Sequence, residues 1–393
     1  MKKIQRTILL GLIAALLGGL VGALSAGFLH FIEWGQELLW KVLTAGLPMQ
    51  SFLVCALGGL LVGLCQKYLG DHPKGITETI AVIQKTGRLD YFHLPHGLTT
   101  ASISLIFGAS LGPEAAIMDL IGGLSSWVGD TIHSLRQRFD LPRPERSINR
   151  LNNLLHAWPN LVALLLGAFA FSRLLNGLYS GGLLRVNGPF EWQDLFWSLP
   201  IGLAGAFAGG IYLVFQRWTR QWVMPLKYRP VLRGFLGGLA LGLISSFLPL
   251  TLFSGQHQLQ SIYDQAAQLG SWTLLLTGIA RLLLTSLLLA TGWKGGQFLP
   301  ILFAAATLGL SLSVLFPIIP APVAAIASMA ALIAVVLPKP LIALVLMALL
   351  FPLPYLGISI VSVGVVMLVK WGIQKTRSLI QPQPGMPMEA VSD

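Results

Sequence analysis

The chain has 393 residues, of which 54% are hydrophobic and only 10% charged, where a soluble domain carries roughly a quarter charged residues. So little charge cannot cover a globule in water, which excludes an ordinary soluble enzyme or binding domain. The net charge of +11 does not point to nucleic acid, because Lys and Arg sit in short connections and no basic domain with aromatic platforms accompanies them.

In chain order, apolar stretches at residues 7–32, 51–64, 161–171, 195–215, 272–289 and 340–368 have lengths suited to membrane helices of about 20 residues, or to shorter broken ones. About ten or more membrane segments are expected. Alternating apolar and polar strands are missing from the sequence. The predicted fold class is therefore all-α, a polytopic helical membrane protein whose backbone polar groups are bonded internally. Basic clusters at Lys2, Lys3 and Arg6, at 136–150, at 217–233 and at 370–377 place these connections and both termini in the cytoplasm, by the positive-inside rule. Trp34, Trp40, Trp192 and Trp197 read as interfacial anchors. Cys55 and Cys65 lie in one apolar helix, fit no zinc spacing and read as core residues.

The first segment, basic and then apolar with Ala23-Leu24-Ser25-Ala26, has the outline of a cleaved signal peptide. An internal repeat argues against cleavage. Gly19-Leu20-Val21-Gly22-Ala23 reads like Gly202-Leu203-Ala204-Gly205-Ala206, and Leu57-Gly58-Gly59-Leu60 like Leu236-Gly237-Gly238-Leu239. In the same order, Ser110-Leu111-Gly112-Pro113-Glu114 corresponds in place to Lys294-Gly295-Gly296-Gln297-Phe298. One such match is the common glycine spacing of packed membrane helices. Three in register are the mark of a transporter fold with its ion site between two halves. The halves are set at 1–190 and 191–378, the second inverted, followed by a proline-rich disordered tail at 379–393.

Acidic residues are so scarce that none occurs between Asp264 and Glu389, which makes Glu114 conspicuous. It follows Gly112-Pro113, precedes Ala115-Ala116-Ile117 and opens a helix, where dipole and free amides favour a carboxylate. A capping acid at an interface is the plain reading; an ionisable group inside the membrane is a functional candidate. Gly295-Gly296-Gln297-Phe298-Leu299-Pro300 repeats the geometry. If the halves are inverted, the two helix starts meet and their amides suit a partly dehydrated anion, with no buried Lys or Arg required. His72-Pro73-Lys74-Gly75-Ile76-Thr77-Glu78 starts a further short helix, where Lys74 either raises the local anion concentration or reaches solvent.

These residues resemble the CLC family of chloride channels and proton-coupled chloride exchangers, over most of the chain. Gly112-Pro113-Glu114-Ala115-Ala116 is similar to the family's Gly-Arg-Glu-Gly-Pro segment, which implies that Glu114 is the gating glutamate competing with the anion. Gly295-Gly296-Gln297-Phe298-Leu299-Pro300 resembles Gly-Gly-x-Phe-x-Pro, which implies anion coordination by the amides of Gln297 and Phe298. Pro340-Leu341 resembles the Pro-Leu pair of a late family helix. Where the family has Gly-Ser-Gly-Ile-Pro, this chain has Lys74-Gly75-Ile76-Thr77, so Lys74 replaces the anion-binding serine. The inner-gate tyrosine is missing after Tyr355, and the acid for internal proton uptake is missing between Glu145 and Glu191.

The function implied is passage of chloride or a similar small anion, gated by Glu114 and passive or weakly proton-coupled. H+/Cl− exchange by a non-standard proton path is the alternative, and a non-conducting structural subunit a second. The resemblance further implies a homodimer in a bacterial cell membrane, with anion, lipid and, in the coupled reading, protons as partners, and no enzyme activity, cofactor or nucleic acid. Asp90, His93 and His96 are a weak metal cluster, because Pro95 interrupts their helical spacing. Asp119, five residues past Glu114, lies off its face and reads as a buried hydrogen-bonded acid, with a proton relay as the alternative.

Overall fold

The computed structural model describes residues 2–47, 49–73, 78, 79, 82, 85, 86, 89–138 and 191–380. The expected segment at 161–171, the loop residues Lys74, Gly75 and Ile76, and the tail from 381 onward lie outside these residues. Long helices come first: α1 (Lys2–Glu37), continued by a π-helical turn (Leu38–Leu43), then α2 (Gln50–Leu69), α3 (Leu94–Ile106) and α4 (Glu114–Arg138). After the break come α5 (Asp194–Val223), α6 (Pro230–Phe247), the short α7 (Leu259–Asp264) and α8 (Ala266–Leu269), and α9 (Ser271–Thr291). The last four are α10 (Phe298–Leu315), α11 (Ala321–Val336), α12 (Leu341–Leu350) and α13 (Leu356–Ile380). Among the described residues no strand forms; one isolated antiparallel bridge joins Gly112 to Gly296.

Seven of the described helical segments are long and apolar enough to cross a membrane, and α11 and α12 are shorter apolar helices. The apolar stretch at 340–368 is not one span. Pro352 and Pro354 fall in its middle, and the chain leaves the helix at Phe351, makes a single 3-10 turn at Leu353–Tyr355 and restarts as α13. Proline has no amide to continue the ladder and clashes with the preceding turn. Phe196 on α5 is 74% exposed and Leu349 on α12 is 78% exposed, an apolar outer surface of the kind that marks a membrane or subunit contact. By contrast α10 and α11 are buried on nearly all sides, with Gly309 of α10 against the Ala324 carbonyl of α11 and Ser328 of α11 donating to the Ala305 carbonyl of α10 at 2.5 Å. Small side chains let two apolar helices approach closely where lipid supplies no hydrophobic drive.

The glycines of the repeat meet each other. Helices α2 and α6 run antiparallel in close contact: Gly63 lies against Val231, Gly59 against Gly234 and Gly238, and Gly242 against Phe52. A Cβ on Gly59 would stand 2.5 Å from the Gly234 carbonyl oxygen, and one on Gly63 would stand 2.6 Å from the Val231 Cα. Two matching glycine segments packed on one another in opposite directions are what an internal two-fold relation between halves produces. The tryptophans divide. Trp34 and Trp192 are exposed, as anchors would be, whereas Trp40 donates to the Ile106 carbonyl at 2.9 Å and Trp197 packs against the core. Cys55 is fully buried and Cys65 half-buried, both as free thiols.

Among the described residues one cation is fully buried. Arg281, in the middle of α9, donates to the carbonyls of Leu250, Leu252 and Phe253 and lies 3.9 Å from the Phe303 ring centroid. It closes off the carbonyls of the turn between α6 and α7, where no amide of a continuing helix reaches them.

Replacing Gly59 by Val should force α2 and α6 apart and cost about 1–3 kcal/mol, the range for overpacking. The measurement is the melting temperature in detergent, with Gly210→Ala as control, since nothing lies within 4 Å of a Cβ there. Equal melting of both variants would contradict the close contact.

Candidate anion site

The site is built where the two repeat motifs touch. Gly112 N–H donates to the Gly296 carbonyl at 2.8 Å, and Gly296 N–H donates back to the Gly112 carbonyl at 2.6 Å. This reciprocal pair fixes the start of α4 beside the start of α10. The residue before α10, Gln297, makes no side-chain cap of its own helix. The first amides of α10 therefore need an acceptor from elsewhere, because a helix start carries four N–H groups without intrahelical partners. Glu114 supplies one: Leu299 N–H donates to Glu114 Oε1 at 2.6 Å, across 185 positions of sequence. The other oxygen, Oε2, is buried and without a hydrogen-bond partner among the described residues. A Cβ on Gly112 or on Gly296 would overlap this carboxylate, so both positions must be glycine for it to sit there.

Several side chains hold the frame. Gln297 Oε1 accepts from Tyr212 Oη and from Gln216 Nε2, each at 2.9 Å, which ties the start of α10 to α5. Tyr212 is almost wholly buried. Thr285 on α9 donates to the Ser110 carbonyl at 3.1 Å. Lys294 N–H donates to Ser104 Oγ at 2.8 Å, and its ammonium meets Asp71 at 2.7 Å and the Pro73 carbonyl at 3.1 Å. Gly292, at φ +90°, turns the chain out of α9, and its carbonyl accepts from Gln66, which in turn accepts from Arg233. Partial desolvation pushes the Asp71 carboxyl up, but Lys294, Arg233 and His72 outweigh it and hold Asp71 below the usual carboxylate range. The Asp71 carboxylate thus stays charged at neutral pH.

Of the residues singled out from the sequence, Gly112, Pro113, Glu114, Ala115 and Ala116 from one motif and Gly295, Gly296, Gln297 and Phe298 from the other lie together. Ala115 and Ala116 are buried in the first turn of α4, and a Cβ on Gly295 would stand 2.7 Å from the Leu111 Cβ. Lys74, Gly75 and Ile76 are outside the described residues. The amide that holds the carboxylate is that of Leu299, one position beyond the expected Gln297 and Phe298. Tyr212 and Gln216 gave no sequence signal, being more than 80 positions from Gln297. Among the described residues no three His, Cys, Asp or Glu side chains are grouped to hold a metal. What remains at the centre is a helix start whose amide is met by a carboxyl group from the other motif. Such a place favours a small anion and disfavours a cation.

A family profile described as voltage gated chloride channel matches residues 148–368, more than half of the chain. YfeO of Shigella flexneri, a candidate ion-transport protein, is 27% identical over 334 residues, which cover 73% of this chain and 75% of that protein. YfeO of Escherichia coli O9:H4 (strain HS) is 26% identical over 397 aligned positions, covering 88% and 90%. The solved structure of a CLC-type fluoride/proton antiporter superposes with a TM-score of 0.71 at 20% identity, covering 92% of this chain and 95% of that one. A slow cyanobacterial Cl−/H+ antiporter superposes with a TM-score of 0.70 at 20% identity, covering 95% and 98%. At that identity the likeness speaks for the fold. The profile match and the shared fold together make the chain a member of the voltage gated chloride channel (CLC) family, a multi-pass integral membrane protein of CLC-type anion transport.

Proposed function

We propose that the protein carries chloride or a similar small anion past the paired helix starts, and that Glu114 is the gate. The observation behind this reading is the single bond from Leu299 N–H to Glu114 Oε1. The carboxylate rests where a permeating anion would meet the amides of α10, so carboxylate and anion exclude one another. Protonation of Glu114 removes the charge that the helix dipole attracts and weakens its hold on Leu299. Acid should therefore open the path and base close it. The anion itself needs no side-chain cation in this arrangement. Arg281, the fully buried one, is engaged with the carbonyls of Leu250, Leu252 and Phe253.

Purified protein in liposomes with a chloride gradient and valinomycin tests the gate. Wild type should release chloride faster at pH 5 than at pH 8, and Glu114→Ala should release it at one high rate at both pH values, at least about tenfold above wild type at pH 8. A variant that keeps the wild-type pH response would remove Glu114 from the role. The frame gives a second test. Tyr212→Phe takes away a hydrogen bond worth about 0.5–1.5 kcal/mol, so flux should fall about two- to tenfold while the variant still elutes as folded protein. An unchanged flux would show that the Gln297 anchor does not set the filter.

A further inference from the structure

Helix α5 is longer than a membrane core requires. Its 30 residues rise about 45 Å, against about 30 Å of hydrocarbon, and a tilt of about 20° removes little of the excess. A span of about 20 residues counted from Asp194 ends near Leu213, so the turns that follow stand at the depth of the lipid headgroups. They carry Arg217 and Arg220, and the turn after the helix carries Lys227 and Arg229; all four are exposed. Among the described residues none of these four side chains is in an ion pair. The sequence holds no Asp or Glu between Asp194 and Asp264 to answer them. Arg233, the next cation, differs: it turns inward and donates to Gln66. Aromatic side chains are interleaved with the four. Trp218, Trp222 and Tyr228 are 52%, 65% and 89% exposed. The two indole rings lie 6.3 Å apart, and Phe215 meets Trp222 edge-on at 6.2 Å. Tryptophan and tyrosine at that depth sit between acyl chains and headgroups.

We infer that the end of α5 and the turn after it form a docking surface for anionic phospholipid. A zwitterionic headgroup brings its own ammonium and leaves the four cations unanswered. A phosphatidylglycerol headgroup brings a net negative phosphate, which a guanidinium fork binds through two N–H donors, while its acyl chains cover the indole rings. A soluble acidic protein or free phosphate would answer the charge but not the rings. The position matters for the rest of the molecule. Tyr212 and Gln216, in the two turns before Arg220, hold Gln297 at the start of α10, and Thr219 bonds Ser286 of α9 at 2.7 Å. A lipid fixed at this end therefore steadies the helix that anchors the start of α10. The inference does not depend on the role of Glu114.

The experiment titrates the full chain in detergent with phosphatidylglycerol, phosphatidylcholine or glycerol phosphate and follows the melting temperature. Phosphatidylglycerol should raise it and the other two should not, and added salt should weaken the effect. With Arg217, Arg220, Lys227 and Arg229 all changed to Gln, the same rise should need at least about a hundredfold more phosphatidylglycerol, since each basic residue near an anionic surface contributes about fivefold. The pairs Arg217→Gln with Arg220→Gln and Lys227→Gln with Arg229→Gln should each shift the titration by about tenfold or more, so the outcome does not hang on one variant. Lys41→Gln removes a cation already paired with Glu37 and should leave the titration unchanged. An equal rise with phosphatidylcholine or with glycerol phosphate overturns the assignment, as does a wild-type titration in the fourfold variant or in both pairs.

Discussion

A helix start in an apolar interior cannot leave its amides bare, and the structure answers that demand for α10 from the opposite half of the chain. Gln297 does not cap its own helix, and Glu114 does. The arrangement requires the reciprocal Gly112–Gly296 pair, which brings the two helix starts side by side, and it requires glycine at both positions to leave space for the carboxylate. The rest of the molecule supports that meeting. Helices α2 and α6 hold the halves together through glycines at close range, and Tyr212 with Gln216 pins the start of α10 against α5. In the proposed reading a structural cap and a gate are the same group, and what displaces the cap is an anion able to satisfy the same amide.

The energetics favour a weak, exchangeable hold. A carboxylate bonded by one oxygen, with the other buried and unpartnered, gains less than a fully coordinated one, since each unmet acceptor in an apolar surround costs about 1–3 kcal/mol. A mobile anion with equal charge competes on similar terms. Lys294 stands just before Gly295 but its ammonium is committed to Asp71 and the Pro73 carbonyl. In the proposed reading the site attracts anions by oriented backbone rather than by a fixed cation, which would bind them too tightly to let them pass.

Much of this could be read in the sequence, for particular reasons. Glu114 stands out because acids are rare here and because it follows Gly-Pro, and the glycine repeats give the correspondence of the two halves and, with one half inverted, the meeting of the helix starts at Glu114 and Gln297; that α2 packs on α6 and that Gly112 bonds to Gly296 come from the structure. Composition and apolar run length gave the helical membrane class. What was not legible depends on contacts without a local signature. Leu299, Tyr212 and Gln216 look like ordinary membrane-helix residues, and only the fold brings them to Glu114 and Gln297. The stretch at 340–368 read as one apolar segment because hydropathy averages over Pro352 and Pro354, whose effect is on the backbone. Asp90 and His93 were considered as metal ligands from their spacing. Their partners in space are His72 and a shared cavity with Asp119, which spacing along the chain does not reveal.

The central claim is that the Glu114 carboxylate occupies the place of the permeant anion. Bromide soaked into crystals of Glu114→Ala and of wild type, located by its anomalous scattering, tests this most directly. The account predicts a bromide peak within hydrogen-bond reach of Leu299 N in the variant and a weaker or missing one in wild type at high pH. A peak of equal height in both, or a variant with no bromide at the start of α10, would contradict it.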